Sequence, residues 1–215
     1  MTIHPLLTKI LEDPTAPCLL AQAQTALHDE QRRRTRFSEN EKVEFINGEI
    51  VLHSPVKRRH NAATLLLDRL MSTYADRHDS GFVGIEKIMV SLSRNDYEPD
   101  LCYFRRKVAA GFTADQMRFP APDWIVEVVS ASTEARDRGV KFVDYAAHGV
   151  REYWLIDPEA ETIEQYVLQG GAYELHRKQR EGALQSVAPA AFAVPVRAVF
   201  DAAENLHALG GLLSR

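Results

Sequence analysis

The stretch Trp124-Ile125-Val126-Glu127-Val128-Val129 is apolar at every position but one. A continuous run of branched and aromatic residues marks a strand covered on both faces, as in sheets with helices packed on either side. A glutamate in such a run costs on the order of several kcal/mol to bury as an anion unless a cation or hydrogen-bond donors compensate it. Glu127 is therefore the informative residue of the segment. Immediately downstream, Ser130-Ala131-Ser132-Thr133 offers hydroxyls for a helix N-cap and Glu134 falls in the first turn. The helix runs towards His148-Gly149, where glycine stops it. A further strand begins at Arg151 and continues through Glu152-Tyr153-Trp154-Leu155-Ile156 to a break at Asp157-Pro158. Strand, helix, strand in this order is a βαβ-like unit, and it predicts an α/β protein with a central mixed β-sheet flanked by helices.

Upstream, Val43-Glu44-Phe45-Ile46 and Glu49-Ile50-Val51-Leu52 flank Asn47-Gly48, two residues that tolerate the positive φ of a type I′ turn, so a hairpin is expected. From about Arg59 to His78 the apolar residues Ala62, Leu65, Leu66, Leu70 and Tyr74 recur at helical spacing, and Ser80-Gly81 ends the run. Two extended runs, Gly84 to Leu92 and Pro99 to Phe104, are separated by the polar Ser93-Arg94-Asn95-Asp96, which predicts a second hairpin. Downstream, Thr162 to Leu168 and Ala172 to Leu175 read as strands joined by Gly170-Gly171. Cys18 to Phe37 reads as a helix with a basic end, and the chain after Pro189 is weakly patterned. The expected organisation is a helical extension over residues 1–38, one domain over 39–205 and a tail over 206–215.

A chain of 215 residues with 45% hydrophobic and 26% charged residues is long enough and apolar enough for one well-buried core. Two cysteines, Cys18 and Cys102, lie far apart without CxxC spacing, which argues against a cysteine zinc site and fits a reducing compartment. No signal-peptide run opens the chain and no segment has the length of a membrane span, so the expectation is a cytoplasmic protein with no membrane partner. The formal charge of -4 lacks the global basic footprint of a non-specific nucleic-acid binder. Basic residues are nevertheless clustered, in Arg32-Arg33-Arg34 with Arg36, in Lys57-Arg58-Arg59-His60 and in Arg105-Arg106-Lys107.

Cleavage of a phosphodiester near neutral pH needs a divalent cation at the phosphate, an activated water and a cationic group for the added charge of the transition state. Hard cations such as Mg²⁺ take carboxylate and carbonyl oxygens. Asp100, in Pro99-Asp100, and Glu127 lie on two predicted strands and can share one cation, with the Val128 carbonyl as a further ligand. Lys141, about two turns into the helix after the Glu127 strand, can reach back across the sheet end. Bland readings stand beside each residue: Asp100 terminates its strand, and Lys141 pairs with Asp137 one turn earlier. A buried strand interior is, however, an uncommon place for an unpaired Glu127. Among other candidates, His60 is a helix cap or surface group unless it contacts phosphate or sits near the cation, Asp123 marks strand entry, and Glu86 either joins the acidic cluster or faces solvent. Ser130 and Ser132 lack a GxSxG context, and the eight histidines show no HExxH spacing.

Glu98-Pro99-Asp100, the run from Pro122 to Thr133, Asp137-Arg138-Gly139-Val140-Lys141, Tyr145, Gly149-Val150-Arg151-Glu152-Tyr153-Trp154 and Asp157-Pro158 together resemble the signature of the Uma-type restriction endonuclease family, over roughly Glu41 to Leu168. That family belongs to the PD-(D/E)XK nuclease superfamily. The resemblance implies a restriction-endonuclease-like fold, metal-dependent hydrolysis of DNA with Mg²⁺ or Mn²⁺, a homodimer, and Glu44 as a further acidic site residue. In the superfamily pattern a lysine stands two residues after the acidic one, where this chain has Val129; in the Uma-type family it has moved to the helix, where Lys141 matches. Two other readings stand: a non-catalytic nucleic-acid-binding or regulatory module on the same fold, and an interaction protein that binds a partner through the extension up to Phe37.

Overall fold

The computed structural model describes residues 8–10, 12–34 and 43–214. Helix α1 covers Ala16–Arg34. The expected continuation to Phe37, with Arg36 and the family resemblance at Glu41, lies outside the described residues, as do the side chains of Arg32 and Arg33. Strands β1 (Val43–Ile46) and β2 (Glu49–Leu52) form the expected hairpin, with Asn47 at φ 51° and Gly48 at φ 88°. Ile46 stands opposite Glu49, as a two-residue turn requires. Helix α2 (Arg58–His78) stops at Asp79, whose φ of 46° makes it the left-handed cap, so Gly81 is free to open the next strand.

The second expected hairpin forms, but each of its arms is broken in two. Its strands are β3 (Gly81–Ile85), β4 (Met89–Ser91), β5 (Asp96–Tyr97) and β6 (Leu101–Arg105). The inner pair β4–β5 and the outer pair β3–β6 belong to different sheets. Glu86, at φ 59°, turns one arm out of line, and Pro99, which has no N–H to give to a ladder, interrupts the other. The Glu86 N–H donates to the Asp100 carbonyl at 3.1 Å, so both bends occur at one level and Asp100 stands at the bend rather than inside a strand.

The chain continues through α3 (Arg106–Ala109), β7 (Arg118–Phe119), β8 (Trp124–Val128), α4 (Glu134–Asp137), α5 (Val140–Ala147), β9 (Glu152–Asp157), β10 (Thr162–Gln169) and β11 (Ala172–Gln179). The single helix expected from Glu134 to His148 is two helices. Gly139, at φ -110° and ψ -104°, separates them, a conformation outside the helical well that puts Lys141 in the first turn of α5. The six-stranded sheet has the order β11-β10-β9-β8-β6-β3 and is mixed, with β8 and β9 parallel. The five-stranded sheet has the order β2-β1-β5-β4-β7 and is mixed as well.

Strand alternation sorts the core into two halves. Trp124, Val126 and Val128 face α2, together with Leu101, Tyr103, Trp154 and Ile156. Ile125 and Val129 face the opposite side with Cys102, Phe104, Tyr153 and Leu155, against Tyr145 of α5 and against Val90 and Tyr97 of the five-stranded sheet. Parity therefore sends Glu127 into the second half, between sheet and α5. The weakly patterned segment after Pro189 is ordered: it supplies β13 (Ala193–Pro195), which pairs with β12 (Ala183–Gln185), then a 3-10 turn (Val196–Val199) and α6 (Ala202–Leu213). Asn205 of α6 is buried against α2 and donates to the carbonyls of Leu66 (2.7 Å) and Ala198 (2.8 Å), which masks the apolar stripe that would have marked this helix.

Candidate active site

Glu127 follows from the register of the mixed sheet. Leu101 is opposite Val126 in the β6–β8 pair, so Asp100, one residue before Leu101, and Glu127, one residue after Val126, lie at the same end of that pair. The two are 7% and 4% exposed and lie on the floor of a cleft of about 970 Å³. The Val128 N–H donates to Asp100 Oδ2 at 2.7 Å, and His60 Nε2 of α2 lies 3.1 Å from Asp100 Oδ1. Helix α5 contributes the next layer. Lys141 Nζ donates to Glu127 Oε1 at 3.0 Å, and the Tyr145 hydroxyl donates to the same oxygen at 3.0 Å. Glu44 comes from the other sheet: its Oε1 is 2.8 Å from Lys141 Nζ and accepts the Glu98 N–H at 3.0 Å. Asp137 Oδ1, the bland partner foreseen for Lys141, is 3.6 Å away, so Lys141 takes part in both arrangements at once.

The charges distribute unevenly. Burial works against the Lys141 ammonium, but Glu127, Glu44 and Asp137 outweigh it and hold the amine charged, well above its ordinary range. Burial also opposes ionisation of Glu44, yet Lys141 and His53 bring its carboxyl down to about 2. Asp100 is likewise lowered despite burial, by His60, the Val128 N–H and Lys141. For Glu127 and Asp137 burial prevails over Lys141, and both carboxyls are raised. Three buried carboxyls thus lie within 4 Å of one ammonium, with Asp100 also under its influence, and for Glu127 and Asp137 that charge does not offset burial.

That shortage is the test of whether the residues suit a divalent cation. Asp100, Glu127 and the Val128 carbonyl supply only hard oxygen donors at the cleft floor, the set that Mg²⁺ or Mn²⁺ takes, and a cation there would offset the excess of buried carboxylate. The residues fit. Among the described residues no group of three or more His, Cys, Asp or Glu side chains is already drawn together to hold a metal ion.

The remaining candidates separate cleanly. His60, a cap or surface group in the bland reading, is 6% exposed and bonded to Asp100. Glu86 lines the cleft. Asp123 does not join the site: it sits at the other end of β8, where it accepts from the N–H (2.9 Å) and guanidinium (2.9 Å) of Arg105. Of the basic clusters, Lys57 and Arg59 line the cleft, whereas Arg106 pairs with Asp79 and Arg34 with Asp96. One site member, His53, carried no sequence signal, and the sequence suggests Asp137 only as a surface partner of Lys141. His53 Nε2 lies 3.2 Å from Glu44 Oε2, off hydrogen-bonding geometry, and Asp137 joins through a helix break that the sequence pattern did not reveal.

Comparison with known proteins agrees with this architecture. The family model Uma2, described as "Putative restriction endonuclease", matches residues 29–197. Two proteins of Synechocystis sp. (strain ATCC 27184 / PCC 6803 / Kazusa), both described as uncharacterized, are similar. The protein sll1609 is 33% identical over 129 residues, 59% of this chain and 72% of the relative. The protein slr1290 is 28% identical over 162 residues, 73% of this chain and 79% of the relative. Among solved structures, the crystal structure titled as a putative nuclease belonging to DUF820, from Anabaena variabilis ATCC 29413, superposes with a TM-score of 0.68 at 18% identity. It covers 79% of this chain and 96% of that one, a likeness of fold. With the family model spanning most of the domain and the mixed sheet carrying the carboxylates at its bend, the chain belongs to the Uma2 family.

Proposed function

We propose that this protein is a divalent-cation-dependent endonuclease that hydrolyses phosphodiester bonds in DNA. One observation carries the reading: Asp100 and Glu127 line one cleft, with the Lys141 ammonium 3.0 Å from Glu127. Asp100, Glu127 and the Val128 carbonyl would hold Mg²⁺ or Mn²⁺, whose charge, when bound, neutralises the scissile phosphate. Lys141 stays protonated, so it serves as a hydrogen-bond donor to the attacking water and a counter-charge to the pentacovalent phosphorus, rather than as a base. Glu44 keeps that ammonium in place from the opposite sheet. The DNA backbone would enter past Lys57 and Arg59, the two basic residues that line the cleft near α2.

Incubation of the purified protein with plasmid and single-stranded DNA in Mg²⁺, Mn²⁺ or EDTA, with Glu127→Ala alongside, tests the reading. The expected result is cutting in either cation, none in EDTA and none by the variant. A folded protein that binds DNA without cutting it in any cation would replace this reading with a non-catalytic binding module.

A further inference from the structure

We infer that His60 is a positioning residue that fixes Asp100 in the orientation needed to hold the divalent cation. The inference rests on the proposed cation site. Asp100 is locked on both oxygens: Val128 N–H at Oδ2, 2.7 Å, and His60 Nε2 at Oδ1, 3.1 Å. The first lock comes from the backbone of the neighbouring strand β8, whereas the second comes from a different layer, the first turn of α2, forty residues earlier in the chain. The His60 N–H donates to the Lys57 carbonyl at 3.0 Å and its carbonyl accepts from Thr64 Oγ1 at 3.2 Å, so its backbone is anchored in the helix.

A carboxylate oxygen only accepts, so Nε2 carries the proton in this contact. Nδ1 is buried and finds no hydrogen-bond partner among the described residues. A buried ring with one nitrogen lacking a hydrogen-bond partner is costly to keep at the head of α2. What the ring supplies in exchange is one N–H aimed at Asp100. This is the arrangement that orients carboxylate ligands from behind, and its removal typically weakens metal affinity ten- to hundredfold.

Calorimetric titration of EDTA-treated protein with MgCl₂ and with MnCl₂, without DNA, reads this directly. His60→Leu should weaken both cations by a similar factor, about ten- to hundredfold, while His60→Gln, which retains an N–H near the position of Nε2, should lie close to the parent protein. If His60→Leu fails to fold by circular dichroism, His60→Asn, too short to reach Asp100, takes its place with the same expectation. Unchanged affinity in the variant overturns the inference. So does a loss confined to Mn²⁺, because an imidazole nitrogen that ligates the cation itself favours the softer ion over Mg²⁺. A parent protein that binds neither cation fails differently: it removes the proposed cation site itself, and the positioning role with it.

Discussion

At the scale of the residue, Lys141 is the pivot, since its single ammonium lies within 4 Å of Glu44, Glu127 and Asp137. Removing it leaves buried carboxylates without compensation, a change that costs about 3–5 kcal/mol. Lys141→Met should therefore lower unfolding free energy in urea by that order, and cleavage by about 10²–10³-fold. Adding Glu44→Gln to Lys141→Met should restore part of the stability but none of the cleavage, because the uncompensated charge disappears while the catalytic cation does not return. Equal stability of the single and double variants would sink this account. Glu44 also fixes a pH dependence. Its carboxyl is lowered from 4.5 to about 2 in the fold, so its contribution is fully present above pH 4.5 and is lost as pH falls towards 2. The loss amounts to up to about 3 kcal/mol, and Glu44→Gln should flatten the stability curve in that window, measured by denaturant unfolding between pH 2 and pH 6.

At the scale of the element, the break between α4 and α5 sets where Lys141 points. A Cβ on Gly139 would lie 2.6 Å from the Ala135 carbonyl, a backbone atom that cannot swing aside. Alanine would favour continuous helix by about 1 kcal/mol, yet the continuous helix is the conformation that this segment does not adopt. The clash should prevail: Gly139→Ala is expected to destabilise by about 1–3 kcal/mol and, two residues before Lys141, to depress cleavage beyond the stability loss. A variant as stable and as active as the parent would show that the break is incidental. The β3–β4 bend works similarly. Glu86 at positive φ and Pro99 without an N–H end both arms at one level, and the carboxylate at that bend is Asp100.

At the scale of the whole molecule, the site exists because two sheets meet: Glu44 comes from one, Glu127 from the other, Asp100 from the bend just before β6, and Lys141 bridges Glu44 and Glu127. The extension reaches this assembly from outside. Arg34 of α1 pairs with Asp96 and donates to the carbonyl of Leu92 at 2.9 Å, while Glu30 receives Arg94 at 2.8 Å. Asp96 is also held by Arg118 at 3.0 Å, so loss of the extension does not leave it without a cation. Deletion of residues 1–36 should therefore lower stability by about 1–3 kcal/mol and leave metal-dependent cleavage in place, checked by thermal unfolding and plasmid nicking. Cleavage abolished in a still-folded truncation would make α1 part of the active assembly instead.

Local chemistry was enough for much of this. Asn47-Gly48 specified its turn through positive φ, the run around Glu127 announced a doubly covered strand, and the improbability of a lone carboxylate there pointed to a cation before any partner was known. Gly139 and Asn205 misled for the same local reasons, since a pattern of side chains does not report a backbone conformation held by neighbours or a polar group satisfied across a helix interface. His60 and Asp100 are forty residues apart, and Glu44 and Lys141 are farther apart still. Which charges pair depends on distances of about 3 Å between elements remote in the chain. Such distances arise from strand register and layer packing, and no spacing along the sequence encodes them.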